Sequence, residues 1–433
     1  MFSMYFDPAA AMTDVIGSVR PRLLARFLPA EGWTPLVVTG GSRDVEERAA
    51  DLLVRTIRTS WPIAAAKARS GLSVADVQQR ARSMGSSGSP AHGPVRAAMV
   101  EVAAEVAGLV PDSLAWAVRA AGAGLDLVRR EQPVAIYSTS PSPAAHLAAW
   151  LVAIRCGLPW VAELRDLWAA VPTRPGTHLR GLLDRGAERF VLGRAAALVT
   201  VSAPLADRLR ATYRRTPVHA ILSGFDPDEH AQDDRLAPDF RLLYAGRIHE
   251  RQDVQRVLGP LADAIDSGRI DGDRTRVELL TMGTLSESDR AFVRSRGLER
   301  VIVEEPFVTR GEALARERGA QVLLHLRWDE PGQSGILTGK LFEYLAARRP
   351  ILSTGRYVDS VSALLVETGA GTATTSDAET GEYLSGAWDA FSATGRVPYH
   401  GRRDAVDRYD ARTMAAAIAG VLNDAAAVAG TES

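Results

Sequence analysis

Ser334-Gly335-Ile336-Leu337-Thr338-Gly339-Lys340-Leu341-Phe342-Glu343-Tyr344-Leu345-Ala346-Ala347-Arg348-Arg349-Pro350-Ile351-Leu352 reads as a glycine-bearing loop, a short helix and a buried strand. Two charges on the helix do not suit it. Lys340 falls in the first turn, where the macrodipole favours negative side chains and the free N–H groups favour an anion, so a lysine there implies a phosphate beside it. Glu343 lies one turn on, on roughly the same face, and interrupts the apolar run of Leu341, Phe342, Tyr344 and Leu345. A carboxylate in that setting calls for a hydrogen-bond donor such as a sugar hydroxyl. The competing reading is an exposed Lys340–Glu343 pair on a surface helix, contributing about 0.2–0.5 kcal/mol.

Strands and helices alternate on either side of this stretch. Phe240 to Ala245, Val277 to Met282, Val301 to Val303, Val322 to Leu326 and Ile351-Leu352 read as strands, with helices at Val254 to Ile265, Ser286 to Arg294 and Glu312 to Arg318. In the first half, strands are expected at Met1 to Phe6, Leu36 to Thr39, Val134 to Tyr137, Trp160 to Ala162, Leu198 to Val201 and Val218 to Leu222. Helical spacing marks Leu23 to Leu28, with Pro21 in its first turn, and also Ala144 to Ile154 and Leu179 to Leu192. Helical patterns from Arg96 to Arg130 break at Pro111-Asp112. Such alternation means mainly parallel sheets covered on both faces. The expected fold class is α/β, with two Rossmann-like doubly wound domains facing a central cleft, at 1–226 and 239–403. Asp226 to Pro238 is polar and reads as the linker between them. Residues 404–433 read as a final helix with an apolar stripe at Met414, Ile418, Val421 and Leu422.

Composition narrows the partners. The 433 residues carry 51 basic and 52 acidic side chains, a net charge of −1, so nucleic acid is not an expected partner. The single cysteine, Cys156, reads as a small buried hydrophobe and excludes a disulfide within one chain. There is no cleavable leader and no apolar run of the ~18 residues that a membrane span needs, so a cytoplasmic location is expected. Trp61 to Val95 is weakly patterned and contains Gly85-Ser86-Ser87-Gly88-Ser89-Pro90. Its Lys67, Arg69, Arg80 and Arg82 fit either solvated helix faces or a weak peripheral contact with a membrane surface or an acceptor. Metal-ligand spacing, a nucleophile elbow, GxxxxGK[ST] and GxGxxG are all missing, so no metal or other cofactor is expected.

Ligands of open parallel sheets sit at the carboxyl ends of the strands, so candidate residues should follow strands. Gly246 and Arg247 do so after Leu242 to Ala245: the glycine allows a tight turn, and the arginine offers a permanently charged fork suited to a diphosphate. Arg247 and Lys340 together can neutralise a leaving diphosphate without a metal. In the first half, Glu163-Leu164-Arg165-Asp166-Leu167-Trp168 follows a strand and offers either an acid–base pair beside an aromatic or a buried salt bridge. Ser138 to Ser142 either presents hydroxyls to a ligand or caps the helix that begins near Pro143. Asp329 and Glu330, after another strand, are placed to reach sugar hydroxyls.

These motifs resemble, in order and spacing over nearly the whole chain, the family-four type of retaining glycosyltransferase with the GT-B fold. The residues that carry the likeness are Gly17-Ser18-Val19-Arg20 with Trp33 to Thr39, Pro111-Asp112 with Trp116, Ser138 to Pro143, and Leu158 to Val161 with Arg165 to Trp168. It continues through Ser223 to Asp226, Tyr244 to Arg247 and Gly339 to Ala346. The resemblance implies that the second domain holds a nucleotide-sugar donor and that the last helix crosses back to the first domain. Arg247 and Lys340 would take the diphosphate, Glu343 the ribose, and Pro306, Phe307 and Val308 the base. Gly17 and Arg20 would approach the donor, while Ser140, Arg165 and Trp168 would face the acceptor, with Asp166 among the catalytic groups. Three departures stand out. Gly335 occupies the position of a family glutamate that contacts the donor sugar, leaving the backbone N–H groups of Gly335, Ile336 and Leu337, or else Asp329 and Glu330, as substitutes, with Thr338 also at the donor. The family's lysine shortly after Gly-Arg is missing, and Arg251 is the nearest substitute charge. Arg165-Asp166 stands where relatives carry a histidine-bearing loop. The expected activity is transfer of a sugar, retaining configuration, from a nucleoside diphosphate, UDP foremost, to a small-molecule, natural-product or glycan acceptor. The alternatives are a catalytically silent partner subunit and a sugar-nucleotide epimerase.

Overall fold

The computed structural model describes residues 1–6, 18–41, 43–49, 52–58, 111–166, 168, 178–229, 235–249, 252–281, 285–305, 308–328 and 337–431. The first sheet is built from β1 (Phe2–Ser3), β2 (Leu36–Gly41), β3 (Val45–Ala49), β4 (Leu52–Arg58), β5 (Ile136–Thr139), β6 (Trp160–Leu164), β7 (Ala197–Thr200) and β8 (Val218–Ala220). Its order is β3-β4-β2-β1-β5-β6-β7-β8, parallel except for β3, which runs antiparallel to β4. Around it lie α1 (Val19–Phe27), α2 (Pro111–Glu131), α3 (Pro143–Cys156), α4 (His178–Leu192) and α5 (Ala203–Thr212). The second sheet contains β9 (Phe240–Ala245), β10 (Thr275–Leu280), β11 (Ile302–Glu305), β12 (Val322–Leu326), β13 (Ile351–Thr354) and β14 (Gly371–Thr374), all parallel, in the order β11-β10-β9-β12-β13-β14. Its helices are α6 (Gln255–Asp266), α7 (Glu287–Ser295), α8 (Arg310–Gly319), α9 (Gly339–Ala347), α10 (Ser360–Thr368) and α11 (Asp377–Thr394). The short α12 (Arg403–Asp407) and the long α13 (Ala411–Thr431) complete the chain. Both sheets reverse their winding beside their first strand, between β1 and β5 and between β9 and β12, and that reversal opens a crevice at the carboxyl ends.

Local chemistry explains most boundaries. Pro143 occupies the first turn of α3, and Gly157, at φ 69°, ends it in the left-handed region. Asp359 and Ser362 form a capping box on α10, as do Ser376 and Glu379 on α11. Helix α2 begins at Pro111, as the expected break there allows, since a proline at the first position loses no intrahelical bond. The β3–β4 hairpin was not expected, because Glu46, Glu47 and Arg48 hide a strand that lies at the sheet edge with a charged outer surface. Strand β14 was missed for a similar reason: Gly371-Thr372-Ala373-Thr374 lacks an apolar run. Cys156, expected inside, is exposed at the last turn of α3. The segment from Trp61 to Val95 lies outside the described residues.

Helix α13 packs on the first sheet. Met414, Ala415, Ile418, Ala419 and Leu422 are buried among Leu23, Leu24 and Phe27 of α1, Tyr137, Val161 and Val199. The chain therefore passes between the sheets twice, after β8 and before α13. The two passages touch: Phe225 N–H donates to Tyr409 O at 2.9 Å, and Ala411 N–H donates to Phe225 O at 2.9 Å. Gly224 is required there, since a Cβ would stand 2.8 Å from the Ala411 backbone. Asp226, read as the start of the polar linker, is buried and pairs with Arg26 of α1.

Candidate functional site

The crevice beside β9 is built by two tyrosines. Tyr344, buried on α9, accepts a 2.9 Å hydrogen bond from Ala245 N–H and fixes the helix against the end of β9. Tyr244 donates through its hydroxyl to Arg247 O at 2.9 Å and presents its ring to Lys340, whose Nζ lies 3.6 Å from the ring centroid. Gly246 has φ 111°, and a Cβ there would lie 3.0 Å from Lys340 Cε and 3.1 Å from Nζ. The glycine is needed both for its left-handed backbone and for the space that it leaves to the ammonium. Arg247 follows, exposed, and its guanidinium makes no ion pair or hydrogen bond with the described residues.

The start of α9 suits an anion. Its N-cap, Thr338, bonds no first-turn N–H through its side chain, and the buried Thr338 hydroxyl has no partner among the described residues. Lys340 thus sits among uncapped N–H groups. Burial lowers its pKa to about 7, although the carboxyls of Glu317 and Glu343 pull the other way. Glu317, on α8, is buried with Oε2 unpartnered, and burial, reinforced by Glu343, holds its pKa well above the ordinary carboxylate range. Lys340 thus stands between its charged and neutral forms near neutral pH, and an arriving diphosphate favours the charged one.

Glu343 is half-buried, and its Oε1 accepts from Arg310 NH1 at 2.6 Å. At the same rim, Gln252 donates through Nε2 to Leu326 O at 2.6 Å and joins the loop after β9 to the end of β12. The rings of His249 and Trp328 face each other across this join, with centroids 5.3 Å apart. Leu337 and Val308 pack against the core beneath α9. Gly17, Arg251, Pro306, Phe307, Gly335 and Ile336 lie outside the described residues, as do Asp329 and Glu330.

The first-half candidates separate into structural and exposed groups. Arg20, expected at the donor, is 4% exposed and is fully engaged: with Glu163 at 2.7 Å, with Ile221 O at 2.9 Å, with Leu222 O at 2.8 Å and with Ser223 Oγ at 3.3 Å. Glu163 also accepts from Thr139 at 2.6 Å; burial would raise its pKa, but Arg20 and Arg165 outweigh this and hold it low. The pair joins the end of β6 to the chain after β8, so the buried-salt-bridge reading of Glu163 holds, with Arg20 as its partner. Trp168, expected at the acceptor, is buried in the core of the first sheet. Ser140 is buried too: its Oγ accepts from Arg165 N–H at 2.8 Å and its carbonyl from Arg165 Nε at 2.7 Å. Arg165 is held in place by that contact, and Asp166 beside it is exposed. His146 and His325 are both buried against serines, Ser138 at 2.8 Å and Ser353 at 3.0 Å. Burial lowers their pKa values to about 4 and about 3, so both are neutral.

Sequence reasoning missed Arg310, Glu317, Gln252 and the two tyrosines. Tyr344 was counted as core, and Arg310 and Glu317 belong to Arg310-Gly311-Glu312-Ala313-Leu314-Ala315-Arg316-Glu317-Arg318, which carries the composition of a solvated helix.

Among known proteins, residues 83–229 match the family model described as Glycosyltransferase Family 4. No curated protein matches the chain in sequence. Solved structures of the same fold include HepE from Anabaena in complex with UDP and glucose, at 14% identity and TM-score 0.58, covering 98% of each chain. Sucrose-phosphate synthase from Thermosynechococcus elongatus aligns at 13% identity and TM-score 0.57, over 99% of this chain and 96% of its own. An alpha,alpha-trehalose-phosphate synthase (UDP-forming) from Burkholderia vietnamiensis aligns at 11% identity and TM-score 0.52, over 94% of each. No helix among the described residues is long and apolar enough to cross a membrane. With the crevice at its sheet reversal and the full-length match to these structures, the chain has the GT-B fold, and its segment 83–229 is similar to Glycosyltransferase Family 4.

Proposed function

We propose that the protein transfers a sugar, with retention of configuration, from a UDP-sugar to a hydroxyl or amine of a small-molecule or glycan acceptor, without a metal. The observation that carries this reading is the approach of Lys340 Nζ to Gly246 at the end of β9, with Arg247 exposed beside it. Two cations are carried by separate elements at the end of β9, which suits two phosphate groups in a row. HepE has been solved in complex with UDP-glucose, which supports UDP over other nucleotides. In the proposed reaction the acceptor oxygen attacks from the face that the phosphate leaves, and a departing phosphate oxygen takes the acceptor's proton. Lys340 and Arg247 stabilise the charge that develops on the leaving group. The cleft, closing over the donor, excludes water that would otherwise hydrolyse it.

Nucleotide binding without turnover is the second reading, favoured by Gly335 at the position of a family glutamate. Melting and calorimetry with UDP, GDP, ADP and dTDP, each with and without chelator, test the donor site. UDP at about 100 times its dissociation constant is expected to add roughly 2.7 kcal/mol of stability, unchanged by chelator and weakened in Glu343→Ala. No response to any of the four nucleotides would remove the donor site. Binding of UDP with no hydrolysis or transfer of UDP-sugars across an acceptor panel would favour the silent subunit.

A further inference from the structure

Four alternating charges run from the first half of the molecule into the donor crevice. Arg22 of α1 donates through NH1 to Glu229 Oε1 at 3.0 Å. Glu229 lies in the passage between the sheets, and its Oε2 accepts from Arg310 at 2.9 Å through NH2 and at 3.2 Å through Nε. Arg310, in the first turn of α8, then donates through NH1 to Glu343 Oε1 at 2.6 Å. All four side chains are largely shielded, at 14%, 20%, 12% and 21% exposure in that order, so solvent screens them less than an ordinary surface pair. Arg310 takes one oxygen of Glu343; Oε2 of that carboxylate accepts no hydrogen bond from the described residues.

We propose that Arg310 is a positioning residue that sets the Glu343 carboxylate to receive the ribose hydroxyls of the donor, and that Glu229 and Arg22 make this setting depend on how the first domain is seated. The inference rests on the donor-site reading above. A planar guanidinium bonded to two carboxylates holds each in a fixed plane, which a single-point ammonium cannot do. A shift of α1 relative to α8 lengthens the Glu229 contacts, lets Arg310 turn, and releases the free oxygen of Glu343 from its aim. Seating of the first domain and grip on the ribose then rise and fall together, since coupling between two sites is reciprocal.

The test compares UDP with 2′-deoxy-UDP by calorimetry. Wild type is expected to prefer UDP by roughly tenfold, the scale of a hydrogen bond to a charged group. Arg310→Met is expected to narrow that preference to below about threefold while still binding both nucleotides through their phosphates, and Arg310→Lys to fall between. Glu229→Gln and Arg22→Met are expected to narrow it by successively smaller steps. A residue that merely supports the fold would weaken both nucleotides equally and leave the ratio intact, and that result in both Arg310 variants overturns the proposal. An unchanged ratio in Glu229→Gln and Arg22→Met overturns the dependence on the first domain. Equal binding of the two nucleotides by wild type removes Glu343 from the ribose while the phosphate site stands. No UDP binding at all overturns the donor reading and this inference with it.

Discussion

Lys340 is the residue on which the proposed donor site turns, and its place in the first turn of a helix was legible in the sequence, where an ammonium contradicts the dipole unless an anion compensates. Lys340→Ala is expected to lower turnover more than tenfold, at least ~1.4 kcal/mol of transition-state stabilisation, in a chain that still folds; steady-state rates with a UDP-sugar measure it. With its pKa at about 7 in the free protein, the binding form of Lys340 is lost as pH rises. UDP affinity is therefore expected to fall by up to about tenfold per pH unit above 7, a dependence that calorimetry between pH 7 and 9 would read and that Lys340→Ala would abolish. The sign for stability is opposite: from about pH 7 toward the ordinary lysine value of 10.5, the unfolded chain holds the extra proton, so the ligand-free fold gains stability as pH rises. Gly246→Ala places a methyl group at φ 111° against Lys340 Cε. It is expected to cost about 1–2 kcal/mol of stability and to weaken UDP, measured by denaturant melting and titration. Arg20 and Trp168 show the limit of the sequence. Both stand beside motifs that end at a crevice, yet their burial depends on β6, β8 and the core, which no local pattern displays.

At the scale of elements, period and capping carried most of the architecture. Strands of the second sheet were readable as apolar runs because both faces are covered, whereas β3 and β14 were not, one being edge and charged, the other short and polar. Helix α8 shows the reverse failure: its charges suggest solvent, while Glu317 and Arg318 are buried and Arg310 faces Glu229 and Glu343. The junction of α9 with β9 combines apolar packing with one buried hydroxyl. Tyr344→Phe leaves Ala245 N–H without its buried partner and is expected to cost about 1–3 kcal/mol in denaturant unfolding, with UDP affinity reduced as α9 loosens. The apolar stripe on α13 announced a partner without naming it; the structure supplies α1 and the first sheet. Ile418→Ala is expected to destabilise by about 2–5 kcal/mol, read by the same melts.

Over the whole molecule, two sheets of matching winding are joined by two passages of chain held against each other. Because Phe225 bonds both Tyr409 and Ala411, those passages do not behave as separate hinges. They are pinned to each other, so any turn of one sheet against the other takes both passages along. Residues close to the pin travel little during such a turn, while the outer rim of the cleft sweeps the widest arc. Glu229 stands only four residues from Phe225 in the chain, so a rotation about the pin bears on its contacts with Arg22 and Arg310. The same pin makes the order of events in a catalytic cycle a matter of leverage. On the proposed reading, a donor bound near the axis is disturbed little by such a turn, and an acceptor entering from the rim meets its full swing.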